Sequence, residues 1–190
     1  MKFSVIILAA GNSERMGRDK ASLAYDDRLT FAAYLIKTYL KAEPDSLYLI
    51  LNEKNIQFFD QHPNVETIKN HNLEKGRSHS LKLGIERVPE GNACFIQNVD
   101  NPFVNIELIS SMLMLLNPWS YIVPVFEGKS GHPLLIGSTI VEYLKSLSEP
   151  GDIRILLKKF DKISLDWPDK EVLLNINTPA DYSNFRLNGK

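Results

Sequence analysis

The stretch from Ile7 to Leu23, ILAAGNSERMGRDKASL, sets two glycines, two arginines and a lysine behind a run of aliphatic residues. Basic side chains spaced along a glycine-containing turn can take up phosphate oxygens. Arginine grips bidentately, lysine acts as a point charge, and backbone N–H groups around Gly11 form a concave nest. Two common phosphate motifs are absent. The Walker pattern needs a glycine followed by lysine where Met16 and Gly17 stand, and the dinucleotide fingerprint needs glycine where Ser13 stands. On spacing alone the loop is either a phosphate cradle charged by Arg15 and Lys20 or a solvated connection whose basic residues face water.

Asp100 follows the apolar FIQNV directly, so it emerges where a buried strand ends. A carboxylate there, beside a phosphate loop, suits a magnesium ligand, while the sequence DNP equally makes a turn. In LEKGRSHSLKLGI, Gly76, Ser78 and Ser80 stand at or just inside a helix start. Free amides and hydroxyls at such a terminus suit a base edge or a phosphate oxygen, or simply cap the helix. His132 lies in the glycine-flanked KSGHP and is placed to touch a substrate or to serve structurally. Asn175 and Asn177, in NINTP, offer amide oxygens to a metal shell or a cap to the next helix. His62, His71 and His79 have no metal-ligand spacing, and the single cysteine, Cys94, sits in an apolar stretch that reads as core.

The elements that would position these residues alternate. Val5 to Ala9 is a continuous aliphatic run, as in a central parallel strand covered on both faces. Thr30 caps a helix with Phe31, Leu35, Tyr39 and Leu40 inward, and SLYLIL from Ser46 to Leu51 is the next strand. Strand-like NVETIK, a helix from about Ser78 to Val88, strand ACFIQNV, a helix from Asn105 to Leu116 and strand YIVPVF follow. Glu127 to Leu135 reads as a hairpin or flap, so the sheet is expected to be mixed. Short helices near Ser138–Ser146 and Asp152–Phe160, then strands near Ile163–Leu165 and Val172–Leu174, lead to NTPADY. There Thr178 is the cap, Pro179 opens a helix and Asp181 lies in its first turn. Such sheets hold ligands at the carboxyl ends of their strands, where Ala10–Lys20 and Asp100–Pro102 fall.

A length of 190 residues, 44% hydrophobic and 24% charged, suits one globular domain spanning residues 1–190, with disorder expected only in the last few residues. Lysine and arginine number 22 against 23 acids, giving a formal charge of −1, so no global field draws the chain to nucleic acid or anionic lipid. Any anion site must be local. The opening MKFSVIILAA is too short in its apolar run for export or a membrane span, and a cytoplasmic protein is expected.

LAAGNSERMGRDK, from Leu8 to Lys20, resembles throughout the signature L-A-A-G-x-S-x-R-M-G-x-x-K of the MobA/MocA-like nucleotidyltransferases, the molybdenum cofactor cytidylyltransferases and guanylyltransferases. NLEKGRSHSLKLGI, NVDNPFV, GHPLLIG, PGD and NINTPADY are similar to later blocks of that family in the same order, so the resemblance covers nearly the whole chain. It implies a three-layer α/β/α Rossmann-like fold of the GT-A-like type with a mostly parallel mixed sheet. It implies that Leu8, Ala9, Ala10 and Gly11 contact a nucleotide, that Arg15 and Lys20 bind its phosphates, and that Gly76 and Ser80 help hold the base. Asp100 would bind Mg2+ with Asn177 beside it, Arg15, Lys20 and Asp100 would be catalytic, and His132 would meet the acceptor. Ala9–Ala10 is similar to the cytidylyltransferase version of the signature, favouring CTP over GTP. The implied reaction transfers CMP to the phosphate of molybdopterin or its molybdenum-loaded form and releases pyrophosphate, with a molybdoenzyme as partner. A phosphorylated sugar or alcohol as acceptor, or a non-catalytic nucleotide carrier, are the alternatives. Two departures bear on these expectations. Asn175 and Asn177 replace the acids of the cytidylyltransferase block D-I-D-T-P, and GDIRILL lacks the family's G-A-R.

Overall fold

The structure, a computed structural model, describes residues 2–59 and 62–187; the terminal residues for which the sequence suggests disorder lie outside that range. Eight strands form one sheet: β1 (Phe3–Leu8), β2 (Ser46–Asn52), β3 (Glu66–Asn70), β4 (Ala93–Asn98), β5 (Ser120–Phe126), β6 (Lys129–Ser130), β7 (Leu134–Ile136) and β8 (Asp161–Asp166). Their order is β3-β2-β1-β4-β7-β5-β6, with β8 on the other edge of β5. β1, β2, β3 and β4 run parallel, as do β5 and β8, while β7 is antiparallel to both neighbours and β6 is antiparallel to β5. The sheet is thus mixed and mostly parallel, as expected, and Glu127 to Leu135 does make a hairpin.

Six helices flank it: α1 (Phe31–Leu40), α2 (Gly76–Ile85), α3 (Ile106–Leu115), α4 (Ser138–Ser146), α5 (Ile153–Leu156) and α6 (Pro179–Leu187). Strand periodicity decides which helix goes where. In β1, Val5 and Ile7 point to a core shared with Phe31, Leu35, Leu108 and Phe185, so α1, α3 and α6 cover that face. Ile6 and Leu8 point the other way, to a core with Leu81, Ile85, Ile140 and Leu144 under α2 and α4. Cys94 is fully buried in this second core, and burial pushes its thiol well above the usual range, which fits packing and not reactivity. Thr30 caps α1 as expected, its hydroxyl accepting from the Ala33 amide at 3.2 Å.

α2 approaches β1 so closely that a Cβ at Gly84 would lie 2.8 Å from Cγ2 of fully buried Ile6. Alanine is the better helix former, by about 0.5–1 kcal/mol. Overpacking a tight core costs about 1–3 kcal/mol, so the clash wins. Gly84→Ala is expected to lower unfolding free energy by about 1–2 kcal/mol, read as an earlier denaturant midpoint with an unchanged slope.

One expected element is corrected. Val172 to Leu174 is not a strand; Lys170–Leu173 is a 3₁₀ turn. The cause is local competition for backbone groups. The Asp169 carboxylate accepts from the Glu171 amide, the Asn101 side chain donates to the carbonyls of Val172 and Leu174, and the His132 amide donates to the Val172 carbonyl. The groups a ladder would need are already committed. Asn175 and Asn177 therefore follow a turn, not the end of a strand.

Candidate active site

The strand order reverses between β1 and β4, because the chain steps outward through β2 and β3 and then returns to the other side of β1. Loops leaving two adjacent parallel strands in opposite directions open a crevice at their carboxyl ends. Leu8 pairs with Asn98 there, so the glycine loop and Asp100 leave the sheet side by side.

The loop itself is held by side chains from the end of β2 and the turn after it. Asn52 donates to the carbonyls of Ala10 and Gly11 at 3.2 and 3.4 Å, and Asn55 donates to the Ala9 carbonyl at 2.9 Å. The Ala9, Met16, Gly17 and Lys20 amides are bonded within the chain, so the N–H groups around Gly11 are what the loop can still offer a ligand. Ser13 takes a left-handed φ of 54°, its carbonyl accepts from Met16 and Gly17, and its hydroxyl accepts from the Lys20 amide at 3.2 Å. Met16 is buried in the core and anchors the far side of the turn. A Cβ at Gly11 would meet no protein atom within 4 Å, so nothing inside the chain needs glycine there and the space it leaves opens outward.

Lys20 ends this loop with its ammonium 3.0 Å from Asp100 Oδ2 and 2.7 Å from Asn177 Oδ1. Arg15 Nη2 also donates to Asn177 Oδ1, at 3.2 Å. Four residues from three distant stretches of sequence thus meet. Three bonds make Asn177 reachable: the Ile176 amide donates to the Asp100 carbonyl at 2.7 Å, and the amides of Asn177 and Thr178 donate to Asp181 Oδ2 at 3.0 and 2.8 Å. The Thr178 hydroxyl accepts in return from the Asp181 amide at 3.2 Å, a reciprocal cap that fixes the start of α6 as the sequence suggests. Those amides, the Asn177 one first, hold the Asp181 carboxyl below the usual range. Asn175 is exposed and stands outside the cluster.

A cleft of about 280 Å³ lies over this point, lined by Leu8, Ala9, Ala10, Gly11, Lys20, Gly76, Ser80 and Asp100 among others. Gly76 opens α2 with a left-handed φ of 73°, the conformation glycine adopts without strain. Ser80 accepts from Asn70 Nδ2 at 2.8 Å, which leaves its hydroxyl proton free to donate. His132 is elsewhere, on the wall of a second cavity of about 990 Å³ with Ser78, Tyr121, Asp152, Arg154 and Lys162. Burial pulls the imidazole below its ordinary value of 6.5, with the nearby Arg77 charge acting in the same direction, so it is neutral at pH 7. Asp152 is held at about 2 by hydrogen bonds from Arg154, which clamps it through Nε and Nη2.

Several residues of the site escape the sequence reading. Asn52 and Asn55 carry the loop, and their one signal is position at and just after the end of a parallel strand. Arg77 and Asn98 line both cavities, and Arg77 is overlooked because the glycine and serines around it explain the segment as a helix start.

The residues present fit a hard divalent cation only in part. Asp100 and Asn177 aim oxygens at one point, now held by the Lys20 ammonium, but no group of three or more His, Cys, Asp or Glu side chains gathers among the described residues. That set suits a magnesium ion that keeps its waters and takes further oxygens from substrate phosphates.

An open α/β sheet whose switch-point crevice carries a glycine loop, two cations and one carboxylate has the layout of a nucleotidyltransferase. The chain belongs to the MobA-like NTP transferase domain family, whose model matches residues 5–163. It is 26% identical over 182 residues, 93% of this chain and 92% of the other, to molybdenum cofactor cytidylyltransferase of Escherichia coli (strain K12). It is 26% identical over 197 residues, 95% of this chain and 94% of the other, to purine catabolism protein PucB of Bacillus subtilis (strain 168). In fold it is similar to the crystal structure of Rv0371c from Mycobacterium tuberculosis H37Rv, with TM-score 0.82, 21% identity and 97% of each chain covered. No helix among the described residues is long and apolar enough to cross a membrane.

Proposed function

We propose that the chain transfers CMP from CTP to the phosphate monoester of molybdopterin or its molybdenum-loaded form, in the cytoplasm, with Asp100 and Asn177 as the residues that would hold Mg2+. The observation that carries this reading is the meeting of Lys20, Asp100, Asn177 and Arg15 at the foot of the glycine loop. CTP is supported by Ala9–Ala10 and by the name of the Escherichia coli relative, which also supports the acceptor.

In this reaction an acceptor phosphate oxygen forms a bond to the α-phosphorus of the nucleotide, the α–β bridging P–O bond breaks, and pyrophosphate leaves with the electron pair. A phosphate monoester has a second pKa near 6, so it is already ionised at pH 7 and needs no strong base. A neutral His132 on the acceptor wall is consistent with that, since no proton has to be removed. The obstacle is repulsion: two unit charges 4 Å apart cost about 4 kcal/mol at an effective dielectric of 20, and several such pairs meet here. The bound metal would supply a concentrated positive charge on the phosphates. Arg15 and Lys20 add the chain's own charge, and the loop N–H groups orient the triphosphate without moving.

Measuring pyrophosphate release for CTP, GTP, ATP and UTP against molybdopterin and against phosphorylated sugars and alcohols tests the reading. Turnover with CTP and molybdopterin is expected; binding of CTP without turnover on any acceptor would replace it with a nucleotide carrier. Because one carboxylate and one amide make a weak metal site alone, calorimetry should detect no tight Mg2+ or Mn2+ binding to the free protein and clear binding once CTP is present. Tight metal binding without nucleotide would contradict this arrangement.

A further inference from the structure

Arg77 belongs to neither cavity alone. It stands one residue after Gly76 in the first turn of α2, and its Nε and Nη2 both donate to Asn98 Oδ1, at 3.2 and 3.0 Å. Asn98 is the last residue of β4, two before Asp100, so this pair sits on the ridge that the two cavities share. Among the described residues only Arg77 and Asn98 line both.

None of the other basic groups of the second cavity also lines the first cleft. Arg154 pairs with Asp152 at 2.7 Å, and Lys162 donates to the Ser130 hydroxyl at 2.9 Å. His132 carries no charge at pH 7. Arg77, by contrast, bonds to a neutral amide oxygen, and no carboxylate forms an ion pair with it among the described residues. The carboxylates of Asp100 and Asp152 act on its charge without pairing with it, and it lines both cavities. The first cleft has its own cations in Lys20 and, beside it, Arg15.

We propose that Arg77 is the acceptor-phosphate receptor: it holds the monoester of the incoming substrate at the ridge between the cavities, with the attacking oxygen turned toward the nucleotide's α-phosphorus. This rests on the nucleotidyl-transfer reading above. Guanidinium geometry matches two phosphate oxygens at once, and Asn98 fixes the plane of the fork. Specificity for a phosphorylated acceptor over its free alcohol then comes from this one side chain, while the apolar wall formed by Leu81, Val123 and Leu134 takes the body of the molecule.

The test uses phenyl phosphate as probe and a CTP analogue with methylene in place of the α–β bridging oxygen, which cannot turn over. Calorimetry is run on wild type, Arg77→Met and Arg77→Lys, with Mg2+ present throughout. Loss of a charge-assisted contact is expected to weaken phenyl phosphate about tenfold or more in Arg77→Met and less in Arg77→Lys, while affinity for the CTP analogue changes less than about threefold. Phenol, lacking the phosphate, should distinguish none of the three proteins. Equal loss of analogue affinity in Arg77→Met, unchanged phenyl phosphate binding, or no phenyl phosphate binding by wild type would each overturn the assignment. Wild type that binds phenyl phosphate through Arg77 yet ignores the analogue would instead defeat the nucleotidyl-transfer reading and leave the anion site standing. Arg77 is exposed, so thermal midpoints of all three proteins should agree.

Discussion

Lys20→Ala is expected to lower kcat for pyrophosphate release by about 10²–10³-fold, the scale of losing one preorganised charged donor, about 3–4 kcal/mol. The ammonium stands 3.0 Å from Asp100 Oδ2 and 2.7 Å from Asn177 Oδ1, so under the proposed reaction its charge adjoins the two oxygens that would hold a metal. Charge develops on the leaving pyrophosphate as the reaction proceeds, so the loss should fall more on kcat than on nucleotide affinity. Lys20→Arg should restore little. A planar fork cannot occupy the single point that a compact ammonium fills between two oxygens. Stability is read beside turnover, because the Lys20 and Asp100 side chains are only 14% and 24% exposed and removing one partner of a largely buried pair is itself destabilising. A variant that keeps its melting temperature and loses turnover matches the proposed role; one that keeps its turnover removes Lys20 from the chemistry.

The strands that carry this site were readable because both their faces are buried: β1 and β4 are near-continuous aliphatic runs, and a carboxylate directly after FIQNV has one place to go. The caps at Thr30 and Thr178 were readable for the same local reason, since each satisfies an amide a few residues away. What was not readable depends on contacts far apart in sequence. Nothing near Val172 says that Asn101 will take its carbonyl, and so a β-rich tripeptide folds as a turn. Nothing near Asn52 or Asn55 says that their amides will hold the loop after β1. Arg77 was passed over because the two cavities it lines are built from separate stretches that no short window of sequence joins.

Asp100→Asn should be the second severe loss, and it differs in kind. The amide keeps the shape and an acceptor oxygen for Lys20 but removes the cluster's one negative charge, which is what a hard cation in this cleft would seek from the protein. Expected are a drop of about 10²-fold or more in kcat/KM at fixed Mg2+ and partial recovery as metal concentration rises, because several kcal/mol of charge stabilisation then depend on occupancy. Insensitivity to metal concentration would mean that Asp100 only orders Lys20. The pair can be told apart from two independent groups by combining the changes. With neither residue present the remaining cleft still has the loop amides and Arg15. Since the ammonium and the carboxylate act on the same phosphates from one point, Lys20→Ala with Asp100→Asn should cost far less than the product of the single losses. Simple multiplication of the two effects would place them on separate steps.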